Sequence, residues 1–360
     1  MKENNNNQYH KKRLKWTAVN ILAAAAALGG GWVWGRFLGL FCGLLLLFAL
    51  SFLLGAMVYN KALRRNKKAL LIPFDFEGEL PPDTPRWWVR ARQGMDVFQK
   101  ETVADVFITS HDGLRLHGLF IQGAPGEKRV VVMLHCYHGL GMSMGEYAEY
   151  YQKIHGFHIL MPDARGHGGS EGASFGMGWI DRLDYLRWID YVIARMGEDV
   201  QILLHGVSMG GATVMMLSGE PLPRQVRFGV EDCGYTEVYK LFRWQFGHLH
   251  HYPLFPAFYT FNVLCRLRAG FWFQQASAIK QLKKAKIPLI FVHGEDDSFV
   301  PSAMVHDAFA AAASKDKTLI SIPGAEHIES FEKDKENRIV HAVEDYIKKY
   351  MPAMAEDTGE

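Results

Sequence analysis

The run Gly206-Val207-Ser208-Met209-Gly210-Gly211 follows an apolar stretch at 200–205 and opens a helix-like segment at 209–218. Gly-x-Ser-x-Gly between a strand and a helix is the pattern of a nucleophile elbow. A serine at so sharp a turn is exposed to a substrate carbonyl, and flanking glycines let neighbouring backbone come close without Cβ clashes. The following helix would aim its N-terminus at Ser208 and favour developing negative charge. A bland alternative, a Gly-rich turn whose serine only caps a helix, has to be weighed against the presence of partners elsewhere in the chain.

A serine hydroxyl needs a base, and the base an orienting acid, in chain order Ser, Asp, His for this architecture. The apolar run 287–293 ends in Gly294-Glu295-Asp296-Asp297, and the last such run, 317–322, is followed by Pro323-Gly324-Ala325-Glu326-His327. Three consecutive carboxylates leave the acid open between Asp297, which is favoured, and Asp296. Of the sixteen histidines, His135, His167 and His293 also stand near expected strand ends. Only His327 follows the last strand, which makes it the expected base. A tetrahedral oxyanion needs two backbone donors. The expected pair is the amide of Met209 and that of Tyr137, in the loop His135-Cys136-Tyr137-His138-Gly139 after the run 130–135.

The elements that must hold these groups are legible as alternating short apolar runs and longer helical segments. Runs at 104–110 and 114–122 flank His111-Asp112-Gly113, an Asp-Gly hairpin signal. Further runs at 130–135, 157–161, 200–205, 226–231, 287–293 and 317–322 read as buried parallel strands. Helices are expected at 143–155, 178–196, 209–218, 302–313 and 334–350. In the second of these, Trp179, Leu183, Leu186, Ile189 and Ile193 are assigned to the core face, and Asp181, Arg182, Asp184, Arg187 and Asp190 to the other. Repeated β-then-α units imply a doubly wound sheet with its site at the strands' carboxyl ends. The aromatic stretch 236–281 breaks the rhythm and is read as a helical cap over that site.

Composition narrows the setting. A formal charge of +2 provides no field for gripping nucleic acid, so none is expected as a partner. Cys42, Cys136, Cys233 and Cys265 are too far apart for a zinc knuckle or redox dithiol and are read as free thiols. The stretches 16–35 and 37–60 carry no charge and are separated only by Arg36, each about the ~20 residues that cross a bilayer. Lys11, Lys12, Arg13 and Lys15 before them, and Lys61, Arg64, Arg65, Lys67 and Lys68 after, place both flanks in the cytoplasm by the positive-inside rule. A two-helix hairpin at the cell membrane with a cytoplasmic catalytic domain satisfies that rule; a single span would put the domain outside, and a cleaved secretory signal is a third reading. The division expected is a polar basic N-terminus at 1–15, a membrane anchor at 16–60, a linker at 61–85, a catalytic domain at 86–350 and a solvated tail at 351–360.

Over roughly 87–350 the chain resembles bacterial α/β hydrolases of the serine aminopeptidase-like or hydrolase-4 type, which include small membrane-anchored Firmicute members. The matching residues are Asp112-Gly113-Leu114, Met161-Pro162-Asp163-Ala164-Arg165-Gly166-His167-Gly168, the elbow, Glu231-Asp232-Cys233-Gly234-Tyr235, and His293-Gly294 leading to Val300-Pro301. The resemblance implies an α/β-hydrolase fold: a mostly parallel eight-stranded sheet with a helical cap insertion, here preceded by transmembrane helices. It places the acid three residues after the glycine of the His-Gly pair, at Asp297, and the base at His327. This chain departs from the pattern at His135-Cys136, where the family has His-Gly, and a Cβ there would tilt the loop that carries Tyr137.

The resulting expectation is a membrane-anchored serine hydrolase that cleaves a carboxylic ester or related acyl bond of a small-molecule or lipid-like substrate, with no cofactor and no metal. Peptidase or acyltransferase chemistry on the same triad, and a non-catalytic membrane scaffold on this fold, are the alternatives. His248, His250 and His251 lack the spacing and carboxylate partner of a metal site. Asp163, Arg165 and His167 read as hydrogen-bonding groups that shape the site rim. Phe255, Phe258, Tyr259, Phe261, Phe271, Trp272 and Phe273 are candidates for acyl-pocket lining, bilayer contact or ordinary core.

Overall fold

The computed structural model describes residues 20–22, 35–65, 98, 103–251 and 254–353. They fall into two compact units, one formed by Met1–Arg64 with Tyr239–Phe273 and the other by Arg65–Val238 with Gln274–Glu360. Most of the first apolar stretch (16–34, save 20–22), residues 66–85 of the linker and the tail from 354 lie outside the described residues.

The larger unit is built on an eight-stranded sheet. Its strands are β1 (Val103–Thr109), β2 (Arg115–Ile121), β3 (Arg129–Leu134), β4 (His158–Pro162), β5 (Gln201–Val207), β6 (Val226–Asp232), β7 (Leu289–Gly294) and β8 (Lys317–Ile322), in the order β1-β2-β4-β3-β5-β6-β7-β8. The pairs β1·β2 and β2·β4 are antiparallel. From β4 to β8 every pair is parallel. The hairpin read from His111-Asp112-Gly113 joins β1 to β2, with Thr109 opposite Arg115 and Gly113 at φ 90°. Every residue of β5 and β7 is buried, as expected of parallel strands covered on both faces.

Two layers of helix provide that cover. Alternate residues of the central strands, Val131, Met133, Ile159, Leu203, Val230 and Val292, share one core with Ala148 and Tyr151 of a helix at Gly145–His155 and with Ile339, Val343 and Ile347 of the closing helix Arg338–Tyr350. On the other face the helix Met209–Leu217, buried along its whole length, packs on β5, β6 and β3 and against the helices Asp181–Met196 and Ala278–Leu282.

The helix Asp181–Met196 is rotated relative to the sequence reading. Its buried face is Asp181, Asp184, Tyr185, Trp188, Ile189 and Val192, so two aspartates assigned to solvent point inward. Each is buried with a donor. Asp181 Oδ2 accepts from the Gly178 amide at 2.7 Å, and Asp184 accepts twice from Arg165, at 2.6 and 2.7 Å. The Arg165 guanidinium offsets the cost of burying the Asp184 charge, whereas Asp181, with its single amide donor, has its pKa raised to about 6 by burial.

In the smaller unit, the helix Gly35–Ala62, here α1, is the one helix among the described residues long and apolar enough to cross a membrane, over Phe37–Ala62. At 1.5 Å per residue it reaches ~40 Å against a ~30 Å hydrocarbon core. Its partner, here α2 (Ala257–Ala269), packs alongside its second half. The Ser51 and Thr260 hydroxyls lie 2.9 Å apart, and a Cβ at Gly55 would stand 2.8 Å from Thr260 Cβ. Small residues at such a crossing let two backbones approach. Phe242, Phe246, Phe258, Phe261 and Phe273 form an aromatic core in this unit, with neighbouring ring centroids 4.8 to 6.1 Å apart.

Candidate active site

Ser208 stands between β5 and the helix Met209–Leu217 with φ 57° and ψ −110°, a conformation that costs an L-residue of order 1–3 kcal/mol. Close packing around the turn enforces it. Ser208 N–H donates to Asp232 O at 2.7 Å, tying the elbow to the end of β6. Gly206 and Gly210 are required sterically: a Cβ on the first would lie 2.3 Å from Gly210 C, and one on the second 1.8 Å from Leu134 O at the end of β3. The glycines of the motif are thus where three elements touch.

Asp297 and His327 arrive on two loops fastened to each other. The Glu295 amide donates to Ile322 O and the Asp296 amide to Ala325 O, both at 3.0 Å, which zips the loop after β7 to the loop after β8. His327 Nδ1 donates to Asp297 Oδ2 at 2.7 Å, and Ser208 Oγ–H donates to His327 Nε2 at 2.8 Å. Asp297 Oδ1 accepts from the amides of Phe299 and Val300 at 2.9 and 2.8 Å. The two neighbouring carboxylates take no part: Glu295 and Asp296 are exposed, whereas Asp297 is buried. Of the three, Asp297 is the carboxylate in contact with His327.

His293, a rival for the base by its place near a strand end and one half of the His-Gly pair that locates the acid, stands behind Asp297 in the structure. Its Nε2 lies 3.2 Å from Asp297 Oδ2 and 3.0 Å from Val300 O, so it backs the carboxylate from behind. Burial alone would raise the Asp297 pKa, but the hydrogen bonds from His293 and His327 outweigh it and hold the carboxyl at about 2. The signal was present in the i, i+4 spacing of His293 and Asp297 across a tight turn.

The loop after β3 is fixed despite its cysteine. Cys136 O accepts from His135 Nδ1 at 2.8 Å and from the Gly139 amide at 2.9 Å. His135 Nε2 in turn accepts from the Ala164 amide at 2.9 Å, which assigns it a neutral, structural tautomer. Burial pushes the Cys136 thiol up to about 11. Tyr137, whose ring meets Phe175 edge-on at 5.7 Å, follows directly. A cavity of about 310 Å³ opens beside His327, with Cys136, Met144, Tyr147, Glu329 and Phe331 among its lining.

The residues after β4 build scaffold. Asp163 accepts from the Gly141 and Gly169 amides and from His117 Nδ1, at 2.7, 2.9 and 2.7 Å. Arg165 bridges Asp112 and Asp184, and the His167 ring stacks on Phe175 at 4.0 Å. Two clusters among the described residues have metal-ligand composition, Cys233-Asp297-His327 and His111-Asp112-Asp184. In the first, Asp297 already accepts the His327 Nδ1 proton; in the second, the Arg165 guanidinium supplies the countercharge a cation would bring. Of the histidines at 248–251, His248 stacks on Trp244 at 3.8 Å and His251 Nδ1 bonds Gly247 O at 3.0 Å.

A serine at a strained strand-to-helix turn, with a histidine and a buried aspartate from the loops after β8 and β7, on this strand order, defines an α/β-hydrolase architecture. The chain belongs to the alpha/beta hydrolase family, matching it over residues 131–337. It is similar to the uncharacterised protein YqkD of Bacillus subtilis, 23% identical over 74% of this chain and 85% of the relative. It also resembles the uncharacterised YfhR of Escherichia coli, 26% identical over 66% and 77%. Among solved structures, an esterase of Pyrococcus furiosus superposes with a TM-score of 0.56 at 21% identity, covering 69% of this chain and 91% of that one. An acetyl xylan esterase of a Paenibacillus species gives 0.54 at 16% identity, covering 77% and 98%.

Proposed function

We propose that the protein is a membrane-anchored serine hydrolase that cleaves a carboxylic ester or related acyl bond of a small-molecule or lipid-like substrate through an acyl-enzyme. Family membership supports hydrolysis as the reaction class. The observation that carries the serine mechanism is the unbroken hydrogen-bonded chain from Ser208 Oγ through His327 to Asp297, 2.8 and 2.7 Å, drawn from three separate loops.

In this reading Ser208 Oγ attacks the substrate carbonyl as His327 Nε2 takes its proton, and Asp297 holds the imidazolium that forms. The amides of Met209 and Tyr137 bind the oxyanion, a contribution of roughly 10²–10³ in rate per donor by protease precedent. His327 then returns the proton to the leaving group, water attacks the acyl-serine by the reverse path, and no cofactor enters. The length and apolar character of α1 support the anchor.

The test is labelling of membranes that contain the full chain with a fluorophosphonate, followed by turnover of nitrophenyl esters of graded acyl length, wild type against Ser208→Ala. Loss of both labelling and turnover in Ser208→Ala is the expected result; wild-type turnover in that variant would refute the assignment. Resistance to alkaline carbonate extraction tests the anchor, and a reporter fused after Lys68 reads the side on which the catalytic unit lies.

A further inference from the structure

The aromatic residues of 255–273 divide sharply by environment. Phe258, Phe261, Phe271 and Phe273 are buried, whereas Phe255 (76% exposed), Tyr259, Val263 and Leu267 (72% exposed) are open. Tyr259, Val263 and Leu267 stand four residues apart along one face of α2, a stripe ~12 Å long at 1.5 Å per residue, and Phe255 lies in the turn that leads into the helix. On α1, which packs against α2, Leu53 and Met57 are also exposed.

The two helices run parallel, and their polarity changes at the same level. Ser51 meets Thr260, and eight to nine residues further on Arg268 reaches Asn60 and lies over the Tyr59 ring. No charged residue precedes Arg266 in α2; Arg266 and Arg268 stand where α1 reaches Lys61. An exposed surface that is apolar and aromatic at one end and cationic at the other follows the depth profile of a bilayer leaflet, with arginines at the headgroups. A protein partner would impose no such matched gradient on two helices. At 13 residues α2 is too short to span ~30 Å. Its apolar end is compatible with hydrocarbon: Pro256 has no N–H to leave unpaired, and the carbonyls of Leu254 and Pro256 accept from the Phe258 and Thr260 amides.

We propose that the Tyr259-Val263-Leu267 face of α2, with Phe255 in the turn before it, is embedded in the bilayer leaflet that holds the second half of α1, so the chain grips the membrane by a spanning helix and a half-depth wedge beside it. This rests on the reading of α1 as a membrane span.

The experiment uses full-length protein in phosphatidylcholine/phosphatidylglycerol vesicles, with a Cys42→Ser background and single nitroxide labels at Phe41→Cys on α1 and at Tyr259→Cys, Val263→Cys or Leu267→Cys. Unlabelled-site protein supplies the signal of the remaining thiols, and circular dichroism confirms folding. Oxygen, which partitions into lipid, and a water-soluble nickel chelate report each label's surroundings. The expected result is oxygen access with nickel protection at Phe41, Tyr259 and Val263, and protection rising in the order Leu267, Val263, Tyr259. A Phe41 label in lipid with Tyr259 and Val263 labels open to nickel overturns the wedge and spares the span, as does exclusion of those two labels from both reagents, the signature of a protein contact. A Phe41 label reached by nickel overturns the span and the wedge together.

Discussion

Glu231 provides a quantitative check on the ground beneath the elbow. The side chain is fully buried one residue before Asp232, whose carbonyl holds the Ser208 amide. Its Oε2 accepts the Gly234 amide at 3.0 Å and its Oε1 has no partner among the described residues. Burial raises its pKa from 4.5 to about 8, more than the nearby His293 and the Gly234 amide lower it. The native state therefore holds a proton that the unfolded chain releases above pH ~4.5, and stability falls as pH rises through that window, levelling off above about 8. Integrated between pH 5 and 7, the loss is ~2.5 kcal/mol, or ~5–10 °C in Tm for a unit of this size. Glu231→Gln keeps an acceptor for Gly234 and removes the titration. Thermal melts of wild type and variant, in one detergent across pH 5 to 7, should diverge by that amount in favour of the variant as pH rises. Parallel profiles, or profiles that converge, would show that Glu231 is ionised in the native protein and paired with His293, and would refute the reasoning.

Three further outcomes follow from the site. Asp297→Asn should cut kcat by ~10⁴ by serine-protease precedent, read with a nitrophenyl ester. Because Asp297 is held at about 2, below the ordinary carboxylate value, it stabilises the fold above pH ~4; that ~2 kcal/mol is lost as pH falls towards 2, so the variant should lose stability at neutral pH and show a flatter acid profile. Gly210→Ala forces a methyl onto Leu134 O and should destabilise by ~3 kcal/mol or more, seen as a lower Tm or loss of folded protein. With its thiol at about 11, Cys136 should be alkylated by iodoacetamide at pH 8 on the order of 10²-fold more slowly than an ordinary cysteine thiol, followed by peptide mass spectrometry.

The sheet was legible because buried parallel strands are short apolar runs with little else to be, and β8 occupies the residues expected. The elbow was legible for a related reason: Gly206 and Gly210 are demanded by contacts with near-zero tolerance, so local pattern and tertiary need coincide. The face of Asp181–Met196 was misread because hydropathy cannot register an aspartate whose buried position is balanced by Arg165, a residue distant in sequence. Asp297 and Asp296 could not be separated by composition; what separates them is the pair of amides at 299 and 300 and the imidazole of His293, none of which has a period. For the aromatics of 255–273 the sequence left pocket lining, bilayer contact and core open; within α2, helical phase puts Phe258 and Phe261 in the core and Tyr259 on the open face.

The zipped loops after β7 and β8 imply a division of labour. Asp297 and His327 belong to one mechanically continuous piece, cross-braced through backbone, while Ser208 belongs to another, seated on β5, β3 and β6. The two pieces join through the β6–β7 ladder, and the Ser208–His327 contact is the side-chain seam between them. Heating or pressure that shifts one piece against the other opens this seam before it disturbs the histidine–aspartate pair, so inactivation would begin as misalignment of intact halves.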